Sequence, residues 1–190
     1  MIGDVDTWHR LAALLPSDQA REFNDCWAIG EQEAGLSLLV SGLLGNGVVI
    51  GETVRAELSV LAETWGEREA LTPRIRRCRG DDRPASAVTL IEQDDVLVSG
   101  GTALADRSLA GLVLVPWIRC TRCGQVLMRV HTREEGSGLS SPAELYAITT
   151  SDRAAVARLF PADSAGEAFT SLLQSCDQPP AVADATGLAR

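Results

Sequence analysis

The segment Cys120-Thr121-Arg122-Cys123-Gly124 separates two thiols by two residues. At that spacing both thiolates reach one tetrahedral zinc, and the glycine that follows permits the tight turn a knuckle needs. Cys120 and Cys123 are therefore the candidate metal ligands. A closed structural site takes two more ligands. The chain offers Cys26, Cys78, Cys176, His9 and His131, with no second paired arrangement among them. On an extended strand His131 would stand over about 20 Å from the turn, at roughly 3.3 Å per residue. Two readings stand beside zinc: a structural hairpin with inert thiols, and a redox dithiol. A redox pair normally sits at a helix N-terminus that lowers the thiol pKa, whereas the flanks here read as strands. The cofactor expectation is none, or zinc.

His9 and His131 are the only imidazoles, which restricts general-base chemistry. His9 falls on a first helix and is expected to face solvent. His131 is expected on the polar side of its strand, with Cys120, Glu134 and Glu135 as conceivable neighbours, and a thiol-dependent enzyme is the reading such a pair would support. The acid pairs Asp81-Asp82, Asp94-Asp95 and Glu134-Glu135 are adjacent in sequence, so the two carboxylates of each tend to point apart. They read as turn acids. Neither Gly42-x-x-Gly45-x-Gly47 nor Gly100-Gly101 lies between a strand and a helix as a phosphate loop does. All 17 basic residues are arginine. The absence of lysine excludes a Schiff-base lysine, a phosphate-loop lysine and a Ser-Lys dyad. No residue is assigned a catalytic role, and the chain reads as non-catalytic.

Charge is placed unevenly over the 190 residues, whose net charge is −9. Residues 1–66 hold ten acids against three arginines, residues 67–135 ten against eleven, and residues 136–190 six against three. The acidic first third repels nucleic acid and favours a basic partner, with Asp25, Glu31, Glu33 and Glu52 as candidate partner-binding residues. No apolar run reaches the roughly 18 to 20 residues of a membrane span. The first ten residues carry Asp4 and Asp6 and lack a basic start followed by an apolar stretch, so the sequence predicts a cytoplasmic protein with reduced thiols.

These residues depend on elements that the apolar spacing predicts. Trp8, Leu11 and Leu15 mark a first helix ended by Pro16, with Ser17 as N-cap of a second that carries Phe23, Cys26 and Trp27. Glu31 to Leu44 forms a third, Gly45-Asn46-Gly47 a turn, and Val54, Leu58, Leu61 and Trp65 a fourth helix closed by Gly66. Residues 1–66 thus form an acidic antiparallel bundle. Residues 67–86, with Arg74, Arg76, Arg77, Arg79 and Arg83 between Pro73 and Pro84, read as a solvated linker. Residues 87–176 form a mixed module. It has strands at Val88 to Glu92, Asp95 to Ser99, Leu112 to Cys120, Gln125 to Thr132 and Leu145 to Thr149. The Cys120 to Cys123 turn between two of them resembles half of a zinc ribbon. Gly136 to Pro142 reads as a loop. A helix opened by Ser151 covers Val156, Leu159 and Phe160, and another follows a Ser164 to Glu167 capping box. Residues 177–190 read as a disordered tail. The fold class is α+β.

Cys26-Trp27-Ala28-Ile29-Gly30-Glu31, then Leu36, Leu39 and Leu43, Gly47-Val48-Val49-Ile50, and Leu58-x-x-Leu61-Ala62-Glu63-x-Trp65-Gly66 together resemble the helical core of MafI-type immunity proteins. The shared pattern is a Gly-Glu step between helices, an apolar helix, a short apolar turn and a leucine-bearing helix, over about a third of the chain. Gly51 departs from it, standing where a Ser or Thr cap usually follows the turn. The resemblance implies a protein that neutralises a toxin, often a basic nuclease, by covering its active site. Beside this interaction reading stand the zinc-stabilised module and the thiol enzyme.

Overall fold

Proline and glycine break the first half of the chain into helices where the apolar spacing predicts. The structure is a computed structural model that describes residues 5–80, 86–91, 98–99, 109–133, 139–140 and 142–175. Helices α1 (Val5–Ala12), α2 (Ser17–Ala28), α3 (Gln32–Gly45) and α4 (Glu52–Thr64) form in order. Pro16, not Ser17, takes the N-cap of α2, and its carbonyl accepts the Ala20 N–H at 2.8 Å. Gly30 divides α2 from α3 at φ +83°, a conformation that side chains with a Cβ rarely adopt.

The bundle closes on Trp8. Its indole lies flat on Phe23, with ring centroids 3.9 Å apart and planes 8° from parallel, while Trp27 and Trp65 approach at 5.0 and 5.5 Å. Its N–H donates to the Phe23 carbonyl at 3.1 Å, so the one polar atom of the ring is satisfied in the core. Gly35 is what lets α3 approach this ring. A Cβ there would lie 2.7 Å from the Trp8 Cζ2.

The segment expected as a linker contains a further helix, α5 (Arg68–Arg77), packed on α3 and α4. Leu71 and Ile75, one turn apart, are buried in the bundle core. Pro73 lies exposed inside the helix. The arginines that suggested solvent are partly structural: Arg74 donates to the Ser37 hydroxyl of α3 at 3.1 Å and bonds Ser41, and the Arg76 carbonyl accepts from Arg55 of α4 at 3.0 Å.

Beyond α5 the chain forms an antiparallel sheet of β1 (Val88–Leu90), β2 (Val98–Ser99), β3 (Val113–Cys120), β4 (Val126–His131), β5 (Leu145–Thr149) and β6 (Val156–Pro161). The strand order is β1-β3-β4-β5-β6, and β2 pairs with β3 further along the edge that β1 occupies. A register shift between Pro116 and Ile118 sets Trp117 beside Ile118 against the helices. The expected helix over Val156, Leu159 and Phe160 is instead β6. Their spacing suits a helical face, but the free edge of β5 pairs with Val156 and with Arg158 to Pro161, and the register shifts at Ala157. Leu159 is left exposed. One C-terminal helix follows, α6 (Ala165–Gln174); Ser164 stands at its N-cap without a side-chain capping bond, so the expected capping box does not form. The fold is α+β.

Helix α4 lies between two cores, and Arg55 to Glu63 is buried throughout. Leu58, Leu61 and Ala62 face the bundle, whereas Ala56 and Val60 pack with Trp117, Leu127, Phe169 and Leu172 of the sheet side. Strand β4 was expected half-buried, yet all six of its residues are buried. Leu127 packs toward the helices, and Val126, Met128 and Val130 pack with Leu109, Leu114 and Ala147 on the opposite face. Asp81-Asp82, Asp94-Asp95, Gly100-Gly101, Glu134-Glu135, Cys176 and the tail expected at residues 177–190 lie outside the described residues. Among the described residues no helix is long and apolar enough to cross a membrane.

Candidate functional site

Three places carry the residues singled out by sequence. The first is the elbow between α2 and α3. Asp25 lies in the last turn of α2, Glu31 at the N-cap of α3 and Glu33 in its first turn, all three exposed. Cys26 lies beside them, its thiol pKa pushed up first by burial and then by Glu31, Glu22 and Asp25. Ile29 projects from the same elbow with 70% of its surface exposed. Glu52 is not part of this group. It sits in the first turn of α4, ion-paired with Arg55 and 3.4 Å from the Thr89 hydroxyl, so its carboxylate serves the contact of α4 with α5 and β1. Glu57 and Glu63 are likewise turned inward, paired with Arg10 and Arg68. Among the described residues, the outward acids of the first third therefore lie on α1, on α2 and from the N-cap of α3 into its first turn.

The second place is the β3–β4 turn. Gly124 adopts φ +75°, the Cys120 N–H donates to the Gln125 carbonyl at 2.9 Å, and the hairpin closes as expected. Cys120 is buried in the sheet-side core, whereas Cys123 is exposed with its Sγ 3.7 Å from the Gln125 Oε1. Among the described residues no three His, Cys, Asp or Glu side chains gather as a metal site. Cys120 and His131 do not meet. His131 pairs with Val113 at the open end of the hairpin, seven residues along β3 from Cys120, or about 23 Å of extended chain. His9 is exposed, as expected. Cys78, deep in the bundle core, donates to the Arg74 carbonyl, and burial pushes its thiol pKa up, opposite to what an activated nucleophile requires.

The third place joins His131 to residues that the sequence does not group with it. A cleft of about 590 Å³ opens between α5, the end of β4 and Leu139, Ser140, Pro142 and Ala143. Glu63 lies at its base with a side chain 3% exposed, 3.2 Å from the Arg68 Nε and 4.0 Å from an Arg129 Nη, and accepts the Tyr146 hydroxyl at 3.2 Å. Arg129 also stands over the Trp117 ring at 5.8 Å, and the Trp117 indole donates to the Ser59 hydroxyl of α4 at 2.9 Å. Burial and the Glu63 carboxylate push the Tyr146 pKa far up, so the phenol stays protonated. His131 was expected on a polar strand face but is buried, with Nδ1 2.7 Å from the Ser140 carbonyl. Burial lowers its pKa, Arg129 and Arg68 act in the same direction, and the Ser140 carbonyl and Glu63 oppose them. The available signal was a charged residue, Arg129, inside an otherwise apolar strand, and Glu63 between Ala62 and Trp65 on an apolar helix. The chain matches no protein-family model, no curated protein and no solved structure.

Proposed function

We propose that this chain is a non-catalytic interaction protein that binds a basic protein partner through the α2–α3 elbow, and that the partner is a toxin which it neutralises. The observation that carries the reading is Ile29, an apolar side chain 70% exposed that falls along the chain between Asp25 and the exposed Glu31 and Glu33. An apolar anchor inside a charged rim is the arrangement of a binding hot spot: the anchor supplies affinity once desolvated, and the rim steers a partner of opposite charge. Asp25 adds to this. A carboxylate in the last turn of a helix opposes the helix dipole, and no basic residue offsets it in that turn of α2, so its placement is not explained by helix stability. The resemblance to MafI-type immunity proteins runs through this same elbow and supplies the toxin class, often a basic nuclease.

The test compares the full chain with a variant carrying Ile29→Asp, Glu31→Arg and Glu33→Arg. All three positions are exposed, so circular dichroism should be unchanged. The wild-type chain should retain a basic protein from its native host at low salt, release it as salt rises, and suppress that protein's toxicity. The variant should associate about tenfold more slowly or worse. An association rate indifferent to these reversals sinks the proposal.

A further inference from the structure

The cleft beside α5 holds two polar atoms that the protein leaves without a partner. His131 is 4% exposed, and its Nδ1 faces the Ser140 carbonyl. A carbonyl only accepts, so Nδ1 carries the proton and Nε2 presents a lone pair. That Nε2 is buried and has no hydrogen-bond partner. Across the cleft, on α5, the Thr72 hydroxyl is buried and unpartnered as well. Leaving a buried polar group unpaired costs about 1 to 3 kcal/mol, and two such groups on one cleft point to a ligand that satisfies both. The volume of about 590 Å³ lies within the roughly 300 to 1,000 Å³ typical of small-ligand sites.

The charges of the lining narrow the ligand further. Arg68, Arg76 and Arg129 line the cleft, against the carboxylates of Glu63 and Glu69. A guanidinium has five N–H donors and can hold an internal partner on one edge while offering another edge to an oxyanion. We infer that this cleft binds a small oxyanion that carries its own O–H donor, with the anionic group on the arginine edges and Thr72, and the O–H donated to His131 Nε2. A hydroxycarboxylate and a phosphate in its monoanionic form share this chemistry. Burial keeps the His131 ring neutral and hence an acceptor, as the donor requires. The site shares no residue with the α2–α3 elbow and does not depend on the interaction proposed there.

The experiment uses the full chain, labelled with ¹⁵N, and follows the imidazole nitrogens. With only two histidines, His9→Gln assigns the His131 signals directly. Four probes are titrated: lactate against propionate, which lacks the hydroxyl, and inorganic phosphate, at a pH where the monoanion dominates, against sulfate. Lactate or phosphate should move the His131 Nε2 signal saturably. The matching probe without a donor should bind about tenfold more weakly. A response to lactate alone identifies a carboxylate ligand, and a response to phosphate alone a phosphate ligand. Arg76→Gln, at a partly buried position, should weaken binding about tenfold or more, with circular dichroism showing that the fold is kept. The inference is overturned by a His131 signal that neither lactate nor phosphate moves, by donor-free probes that bind equally well, or by Arg76→Gln binding as wild type does.

Discussion

On the bundle side of α4, Trp8 meets Phe23, Trp27 and Trp65, and its single polar atom is satisfied by a backbone carbonyl. On the sheet side the same helix buries Glu63 among Arg68, Arg129 and Tyr146, and pins Trp117 to Ser59. The bundle side depends on filled volume, which tolerates change in proportion to the atoms removed. The sheet side depends on charge balance, where removing one partner strands another in a medium that solvates it poorly. The cleft lies on the side built from charge, and the acidic α2–α3 elbow on the side built from volume.

The largest expected effect is on the bundle. Trp8→Ala deletes a ring that is 1% exposed and touches three other aromatics, and should cost about 3 to 5 kcal/mol in urea unfolding. Glu63→Ala should cost about 3 kcal/mol for a different reason, because Arg68 and Arg129 lose their counter-charge and the Tyr146 hydroxyl loses its acceptor. The pair Glu63→Met and Arg129→Met together should recover most of that loss, since two neutral side chains leave less charge stranded. A double variant as unstable as Glu63→Ala alone would show that this side, too, is held by volume.

The contrast also marks what the sequence made legible. The bundle was readable because each of its helices carries its own apolar stripe and ends at Pro or Gly, so the pattern and the packing agree locally. Helix α5 was not. Its stripe is only Leu71 and Ile75, interrupted by Pro73 and surrounded by arginines whose partners, Ser37 and Ser41, are more than thirty residues away. Strand β6 failed similarly, because Val156, Leu159 and Phe160 fit a helical face and only the open edge of β5 decides against it. At the elbow, Asp25, Glu31 and Glu33 were identified by charge and are exposed, while Glu52 was placed with them although Arg55 and Thr89 claim it. The cleft was invisible because Glu63, Arg129 and His131 meet only through tertiary packing.

A smaller effect distinguishes the sides by pH. The folded-state pKa of His131 lies below its ordinary 6.5, chiefly through burial, with Arg129 and Arg68 lowering it and the Ser140 carbonyl and Glu63 opposing. As pH falls below 6.5 the unfolded chain takes up a proton that the folded chain refuses, so stability falls until the folded pKa is reached. The Tyr146 pKa lies above its ordinary 10.0, through burial first and then Glu63. As pH rises above 10.0 the unfolded chain releases a proton that the folded chain keeps, so stability falls again. Each slope is at most about 1.4 kcal/mol per pH unit for one proton. Tyr146→Phe should flatten the alkaline limb and leave the acid limb in place. An alkaline limb unchanged by that substitution would assign the titration to another group.

The smallest effect isolates the seam between α4 and the sheet. The Trp117 indole N–H donates to the Ser59 hydroxyl at 2.9 Å, and both residues are buried. Trp117→Phe removes the donor but keeps an aromatic ring under Arg129, and Ser59→Ala removes the acceptor while leaving the ring in place. Each single change should cost about 1 kcal/mol from the hydrogen bond alone, with the Phe variant losing more because its ring is smaller. The double variant should fall short of the sum by about 1 kcal/mol, the coupling expected of one shared bond. Full additivity in unfolding free energy would mean that the Trp117–Ser59 bond adds nothing to the seam, which the packing of Ala56 and Val60 and the contacts of Glu63 with Tyr146 and Arg129 would then hold without it.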